Sequence, residues 1–417
     1  MKFSSLWFIL LLGSAWLASC TAKETASSAV PIRPAETITP SSLPTVLAKP
    51  YDTVMDFPAA TSMALTTAGD SVYMILGREH SLHVSRSTDG GKTFSEPVLA
   101  TADHEAHILR VERPAISAND KGQVAVAWLE LDSEGGNNKI WYVLSNDSGQ
   151  TFDSAQLVGE DPPGESAMVQ VLLDSAGNPT LTWLSGNDLR FARSTDQGKS
   201  FSSAKSIGQG ACECCQPDLM LTGDQLLIGY RGLGSDKSGA FRDAALIRSL
   251  DGGETFSPVS FATDSHWYIN ACPISGPSMA VHDKSIYMTW MDGRAVAPDN
   301  LLSSDVWFAE SADHGQTFSS NVQVSTGLST HNFLPKTAVG PGGRIHIVWQ
   351  AISPDAIYYA TSDDLGHTFS APLVIADDAA NRGRPAGPMI AINGPGRVFL
   401  AWLDDQGVQL AVWDDTN

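Results

Sequence analysis

Ser87-Thr88-Asp89-Gly90-Gly91-Lys92-Thr93-Phe94 is one of six related octapeptides in this chain of 417 residues. The others are Ser145–Phe152, Ser194–Phe201, Ser249–Phe256, Ser311–Phe318 and Ser362–Phe369. Their shared form is Ser-x-Asp-x-Gly-x-Thr/Ser-Phe, with start-to-start spacings of 58, 49, 55, 62 and 51 residues. The residue types are those of a hairpin turn. Asp and Ser side chains bond nearby backbone N–H groups, Gly supplies a positive φ, and Phe drops into the core. A period of about 40–60 residues holding several short strands points to a propeller or a similar array.

A second pattern counts the units. Strands ending in a large residue recur as Val72–Leu76, Val124–Trp128, Leu181–Trp183, Leu226–Tyr230, Ile286–Trp290, Ile345–Trp349 and Val398–Trp402. That makes seven units, of which the last lacks the octapeptide and ends after a third strand, Val408–Trp413. A strand from about residues 47–56 supplies the missing fourth and closes the ring, which removes an exposed edge. The expected fold is all-β, a single seven-bladed β-propeller with an N-terminal closing strand. Six blades is the alternative, because the first unit is the weakest match.

The octapeptide resembles the Asp-box, or BNR repeat, of the sialidase superfamily, whose propellers have six blades. The resemblance implies a turn between the third and fourth strands of each blade, away from any active site, so the six Asp residues read as structural. The stretch from Cys212 to Pro277 resembles a subgroup of sialidase-like bacterial BNR-repeat lipoproteins. It carries Cys212-Glu213-Cys214-Cys215, Tyr230-Arg231, Arg242-Asp243, Trp267 and Cys272-Pro273 with Gly276-Pro277.

The N-terminus has a different character. Lys2 precedes a short apolar run, Leu6 to Leu12, too short to span a membrane. It leads into Leu17-Ala18-Ser19-Cys20, which resembles the bacterial lipobox, with Cys20 the lipidated residue. Thr21 in place of Asp implies sorting to the outer membrane, facing the periplasm or the cell surface. Residues 1–19 are thus a lipoprotein signal peptide, 20–46 a flexible tether and 47–417 the propeller. Hydrophobic residues make up 42% and charged ones 17%, enough for a large core. With 26 basic against 46 acidic residues, the chain is unsuited to nucleic acid, whose phosphates demand a basic surface.

Loops preceding the first strands and joining the second to the third form the usual ligand rim of a propeller. Arg113, Arg231, Arg242, Arg294 and Arg384 fall there and suit an anionic small molecule or glycan, or a protein partner. The bland alternative pairs them with Glu112, Glu130 and Asp292. Resemblance to sialidases adds an exo-sialidase or related glycosidase as a second reading. Such a site needs a Tyr nucleophile, and Tyr268 is the tyrosine left on the rim, with no identifiable Glu partner. Cys212, Cys214, Cys215 and Cys272 suggest two disulfides stapling neighbouring blades in an oxidising compartment, although four cysteines allow three pairings. A strained Cys214–Cys215 bridge is disfavoured. The alternative is a soft-metal site for Cu or Zn, and with it a metal-handling or redox role.

Overall fold

Each octapeptide builds the same turn. In the second copy, Ser145 Oγ donates to Asp147 Oδ1 at 2.8 Å and accepts from the Gly149 N–H at 2.8 Å. Asp147 Oδ1 also accepts from the Thr151 N–H, and Oδ2 accepts from Thr151 Oγ1 at 2.6 Å. These four bonds recur at Asp89, Asp196, Asp251, Asp313 and Asp364. The turn needs a left-handed residue at its Gly. At Gly366, φ is +85°, and a Cβ there would lie 2.0 Å from Phe308 Cε1 of the core.

The computed structural model describes residues 50–415, less 52–53, 102–103, 109–112, 133–134, 163–165, 264, 270–272, 295–302, 329–330 and 379–381. The signal peptide, Cys20, the whole of the tether, Glu112 and Cys272 lie outside the described residues. Among the described residues twenty-eight strands form seven four-stranded antiparallel sheets. Blade one consists of β2 (Ser62–Ala68), β3 (Ser71–Arg78), β4 (Ser81–Ser87) and β5 (Val98–Leu99), and the next five follow in chain order. The octapeptide joins the third strand to the fourth. Blade seven is composite: β26 (Ala386–Ile392), β27 (Arg397–Asp404) and β28 (Gly407–Asp414) are completed by β1 (Val54–Pro58). β1 runs antiparallel to β28 from Val54↔Ala411 to Pro58↔Gly407.

The closing strand therefore sits later than residues 47–56. Its position follows from side-chain alternation. Met55 and Phe57 turn inward onto a cluster with Leu403, Val408 and Leu410, while Val54 and Asp56 face solvent. Between blades, Trp128, Trp183, Trp290 and Trp349, each two or three residues before the end of a second strand, are fully buried. Each such burial contributes on the order of 4–5 kcal/mol before entropy is counted.

The first strand of every blade lies innermost. These strands are β2, β6 (Ala115–Ala118), β10 (Ser166–Leu173), β14 (Asp218–Thr222), β18 (Ser278–His282), β22 (His331–Val339) and β26. They neighbour one another around the ring, with β26 returning to β2. Side chains stitch some of them together across blades. Ser117 Oγ accepts from the Leu173 N–H at 3.0 Å, and Ser278 Oγ from the Thr337 N–H at 3.1 Å. Asp218 Oδ2 accepts from the Met279 N–H at 2.6 Å.

Candidate functional site

One layer of the central channel is fixed by register. Ala64, Ala115, Gln170, Asp218, Ser278, Lys336 and Met389 each pair with the residue just before the large residue closing the second strand. All seven line a single cavity of ≈ 240 Å³. Three inner strands carry a β-bulge immediately before this layer, between Ala167 and Gln170, Phe333 and Lys336, and Ala386 and Met389. Each bulge holds a residue with positive φ: Met168 at +60°, Leu334 at +51° and Gly387 at +60°. At the two non-Gly positions this costs about 1–3 kcal/mol each. Bulges re-aim side chains, and these three deliver Gln170, Lys336 and Met389 to the channel.

Arg113 lies two residues before Ala115 and is buried. Its Nη1 donates to the Pro388 carbonyl at 3.2 Å and touches Met389 Sδ. Its Nη2 is buried with no hydrogen-bond partner among the described residues. Burial lowers the guanidinium to about 10, so it stays cationic at neutral pH. The Lys336 amine is brought down to about 8, by burial first and the charge of Arg113 second, with Asp218 opposing. Burial pushes the Asp218 carboxyl up, against Lys336 and the Met279 and Leu219 N–H groups. The channel thus holds two cations against one carboxylate. Ala64 and Ala115 line the same cavity with small apolar side chains.

The rim of blades four and five is built differently. There β15 (Gln225–Asp236) and β16 (Gly239–Ser249) form a long hairpin paired from Leu226↔Ser249 to Asp236↔Gly239. The segment after β17 (Ser260–Phe261) folds back over it, with the Arg242 N–H donating to the Trp267 carbonyl at 3.0 Å. Arg231 is 1% exposed and holds three segments together. It donates to the carbonyls of Ser275 at 2.8 Å, Arg242 at 3.0 Å and Met291 at 2.9 Å. Arg294 donates to Asp292 Oδ2 at 2.6 Å, and to Asn321 and Thr263, with Trp307 beneath it. Arg384 is exposed and pairs with Asp355 at 3.0 Å. The five arginines read from the sequence are therefore not one rim. Arg113 faces the channel, Arg231, Arg242 and Arg294 knit blades four and five, and Arg384 stands apart.

Tyr268 has a partner that sequence reading missed. Its Oη donates to Asp236 Oδ2 at 2.5 Å, and His266 Nδ1 lies 3.2 Å from the same oxygen. Phe241 stacks on His266 with ring centroids 4.1 Å apart. The hydrogen bond to Asp236 holds the Tyr268 phenol above its usual range, so it is protonated at neutral pH. Cys212 and Cys215 are free and buried, with Sγ atoms 2.8 Å apart. Arg242 Nη1 lies 3.0 Å from Cys212 Sγ. Cys214 is disulfide-bonded, so of the two expected bridges the described cysteines carry one. The three Sγ atoms lie within 4.8 Å of one another. Two thiolates on one tetrahedral zinc, each at about 2.3 Å, sit about 3.8 Å apart. The 2.8 Å contact is nearer to a bonded sulfur pair.

No protein-family model matches the chain, and no curated protein matches its sequence. Solved structures do match. Polysaccharide lyase Uly1 is 11% identical with a TM-score of 0.53, over 86% of this chain and 90% of that one. The α-L-arabinofuranosidase Arb93A of Fusarium graminearum is 14% identical with a TM-score of 0.50, over 85% and 93%. The Hadza microbial sialidase Hz136 is 14% identical at 0.47, over 80% and 73%. At these identities the likeness is one of fold.

Proposed function

We propose that this protein is an envelope-anchored, sialidase-like β-propeller lipoprotein that binds a small anion in its central channel, between Arg113 and Lys336. The observation that carries this is the buried Nη2 of Arg113, cationic and without a partner among the described residues. A buried donor left unpaired costs about 1–3 kcal/mol, more when charged, and a carboxylate, phosphate or sulfate oxygen recovers it. Gln170 in the same layer offers bonds to hydroxyl groups, which suits an acidic sugar. A cavity of ≈ 240 Å³ accommodates one terminal residue of a glycan rather than a polymer. Anchoring through Cys20 at the outer membrane follows from the leader sequence, and the excess of acidic residues weighs against nucleic acid as a partner.

Calorimetry with N-acetylneuraminate, glucuronate and inorganic phosphate tests the reading. Arg113→Met and Lys336→Met should each weaken the bound anion at least tenfold, since a charge-assisted bond contributes about 1.5–3 kcal/mol. Affinity should also fall as pH rises through about 8, where Lys336 loses its proton. Unchanged affinity in both variants sinks the proposal. A glycosidase reading has one observation in its favour, the Tyr268–Asp236 pair.

A further inference from the structure

Cys212 and Cys215 are unused by the channel site, and their surroundings are specific. The Cys215 N–H donates to the Cys212 carbonyl at 3.2 Å, so the two residues bracket a hydrogen-bonded turn. The ends of such a turn lie within about 7 Å, compatible with the roughly 4.4–6.8 Å Cα separation of a disulfide. Their sulfurs already stand 2.8 Å apart. Arg242 is held at both backbone atoms, its N–H on Trp267 and its carbonyl on Arg231, and its guanidinium is directed at Cys212 Sγ at 3.0 Å. Each thiol is 1% exposed, which excludes bulky oxidants.

We propose that Cys212 and Cys215 form a peroxide-reactive dithiol that closes into a second disulfide, with Arg242 holding Cys212 as the attacking thiolate. The inference is independent of the anion site. Hydrogen peroxide is the oxidant, small and neutral enough to reach a buried sulfur. The Cys212 thiolate attacks one peroxide oxygen; an S–O bond forms, the O–O bond breaks, and hydroxide leaves to become water by taking a proton from solvent. The Cys215 sulfur then attacks the Cys212 sulfenic acid. An S–S bond forms, the S–O bond breaks, and a second water departs with the Cys215 proton. The sulfur pair loses two electrons and the peroxide gains them. A dithiol reductant reverses the change through two thiol–disulfide exchanges.

The asymmetry of the pair agrees with these roles. The Cys212 thiol is lowered to about 6, first by the hydrogen bond from Cys215, with burial opposing and the charges of Arg242 and Arg231 assisting. Burial pushes Cys215 up, and the neighbouring Cys212 adds to it. At neutral pH Cys212 is then the more readily ionised of the two thiols and a better nucleophile than an ordinary cysteine. Closure removes the negative partner of Arg242, leaving that guanidinium without its thiolate.

The test uses the full-length protein purified in detergent under anaerobic conditions, then treated with stoichiometric hydrogen peroxide. Intact mass should fall by two hydrogens, and peptide mapping should show a Cys212–Cys215 crosslink with the bridge of Cys214 unchanged. The reaction should run at least about tenfold faster than with free cysteine at pH 7. Arg242→Met should slow it about fivefold or more and shift its pH midpoint upward, while Arg242→Lys retains most of the rate. Cys215→Ser should stop at a sulfenic acid that dimedone traps on Cys212. Should that variant fail to fold, the wild-type mass change and the two Arg242 variants still decide. Rates equal to free cysteine, no dependence on Arg242, a changed partner for Cys214, or a copper or zinc mass that shields both thiols would each overturn the proposal.

Discussion

The octapeptide turns and the rim of blades four and five both concentrate aspartates, yet they treat the carboxylate in opposite ways. In the turns each Asp accepts from its own hairpin, two residues back and four residues on, and none is buried. Hydrogen bonds from the turn Ser and Thr and from backbone N–H groups hold Asp147, Asp196, Asp251, Asp313 and Asp364 down to about 2. At the rim, Asp243 and Asp305 are pushed up by burial, as is Asp218 in the channel. Repetition thus marks carboxylates satisfied locally. Those serving distant segments occur once each and leave no pattern in the sequence.

The largest effect should come from the rim. Arg231→Met leaves three buried carbonyls without their donor, in the place where blades four and five are tied. The expected loss is about 3–5 kcal/mol, read by urea denaturation. A loss under about 1 kcal/mol would mean that the hairpin and the returning segment hold without it. A single turn should matter less. Gly366→Ala combines a left-handed φ with a clash against Phe308 and should cost about 1–3 kcal/mol. Together the two variants measure how unevenly stability is distributed around a ring that repeats its turns but not its rim.

Acid titration sharpens the contrast by sign. A turn Asp with its folded value near 2 and an unfolded value near 3.9 binds its proton more readily when unfolded, so its contribution is present above pH 4 and lost as pH falls toward 2. A carboxyl raised in the fold, as at Asp243, does the reverse: its contribution is complete below the unfolded value and is lost as pH rises through the folded one. Asp243→Asn should therefore remove stability change on the alkaline side of pH 4, while Asp251→Asn removes it on the acid side. Thermal unfolding across pH 2–7 separates them, and parallel shifts in both variants would erase the distinction.

Much of the fold was legible because its signals repeat. Seven large residues late in second strands and six related turns specified the blades, and the missing seventh turn pointed to an N-terminal closing strand. The site was less legible. Leu226–Tyr230 reads as a strand ending at the Gly-rich stretch after Arg231, yet β15 runs on to Asp236. Gly232 and Gly234 lie inside that strand, not in a turn. A Cβ on Gly234 would stand 2.2 Å from Phe241 Cζ, so glycine there makes room for the ring that stacks on His266. That extension carries Asp236 to Tyr268, a pairing across 32 residues. Likewise Lys336 lies on an inner strand, β22. Its place beside Asp218 depends on a bulge at Leu334 that no local pattern signals.

The smallest structural effect, and the most discriminating chemical one, belongs to Tyr268. Its ring is half-buried but its hydroxyl bond is exposed, and Tyr268→Phe removes one bond to a solvent-facing carboxylate, so the melting temperature should not change measurably. Asp236→Asn should be equally silent toward stability. The phenol is raised by the same carboxylate that would have to accept its proton, so the pair is poised for proton transfer to Asp236 only once a substrate draws on the phenolate. If the chain cleaves sialosides, Tyr268→Phe should abolish release of the sugar at unchanged stability, and Asp236→Asn should lower it with an altered acid limb. If the channel is the functional centre, both variants should bind N-acetylneuraminate as the parent does, because neither residue lines the Arg113 cavity. Hydrolysis lost with binding retained would place the chemistry on the rim and recognition in the channel, making the two regions parts of one device.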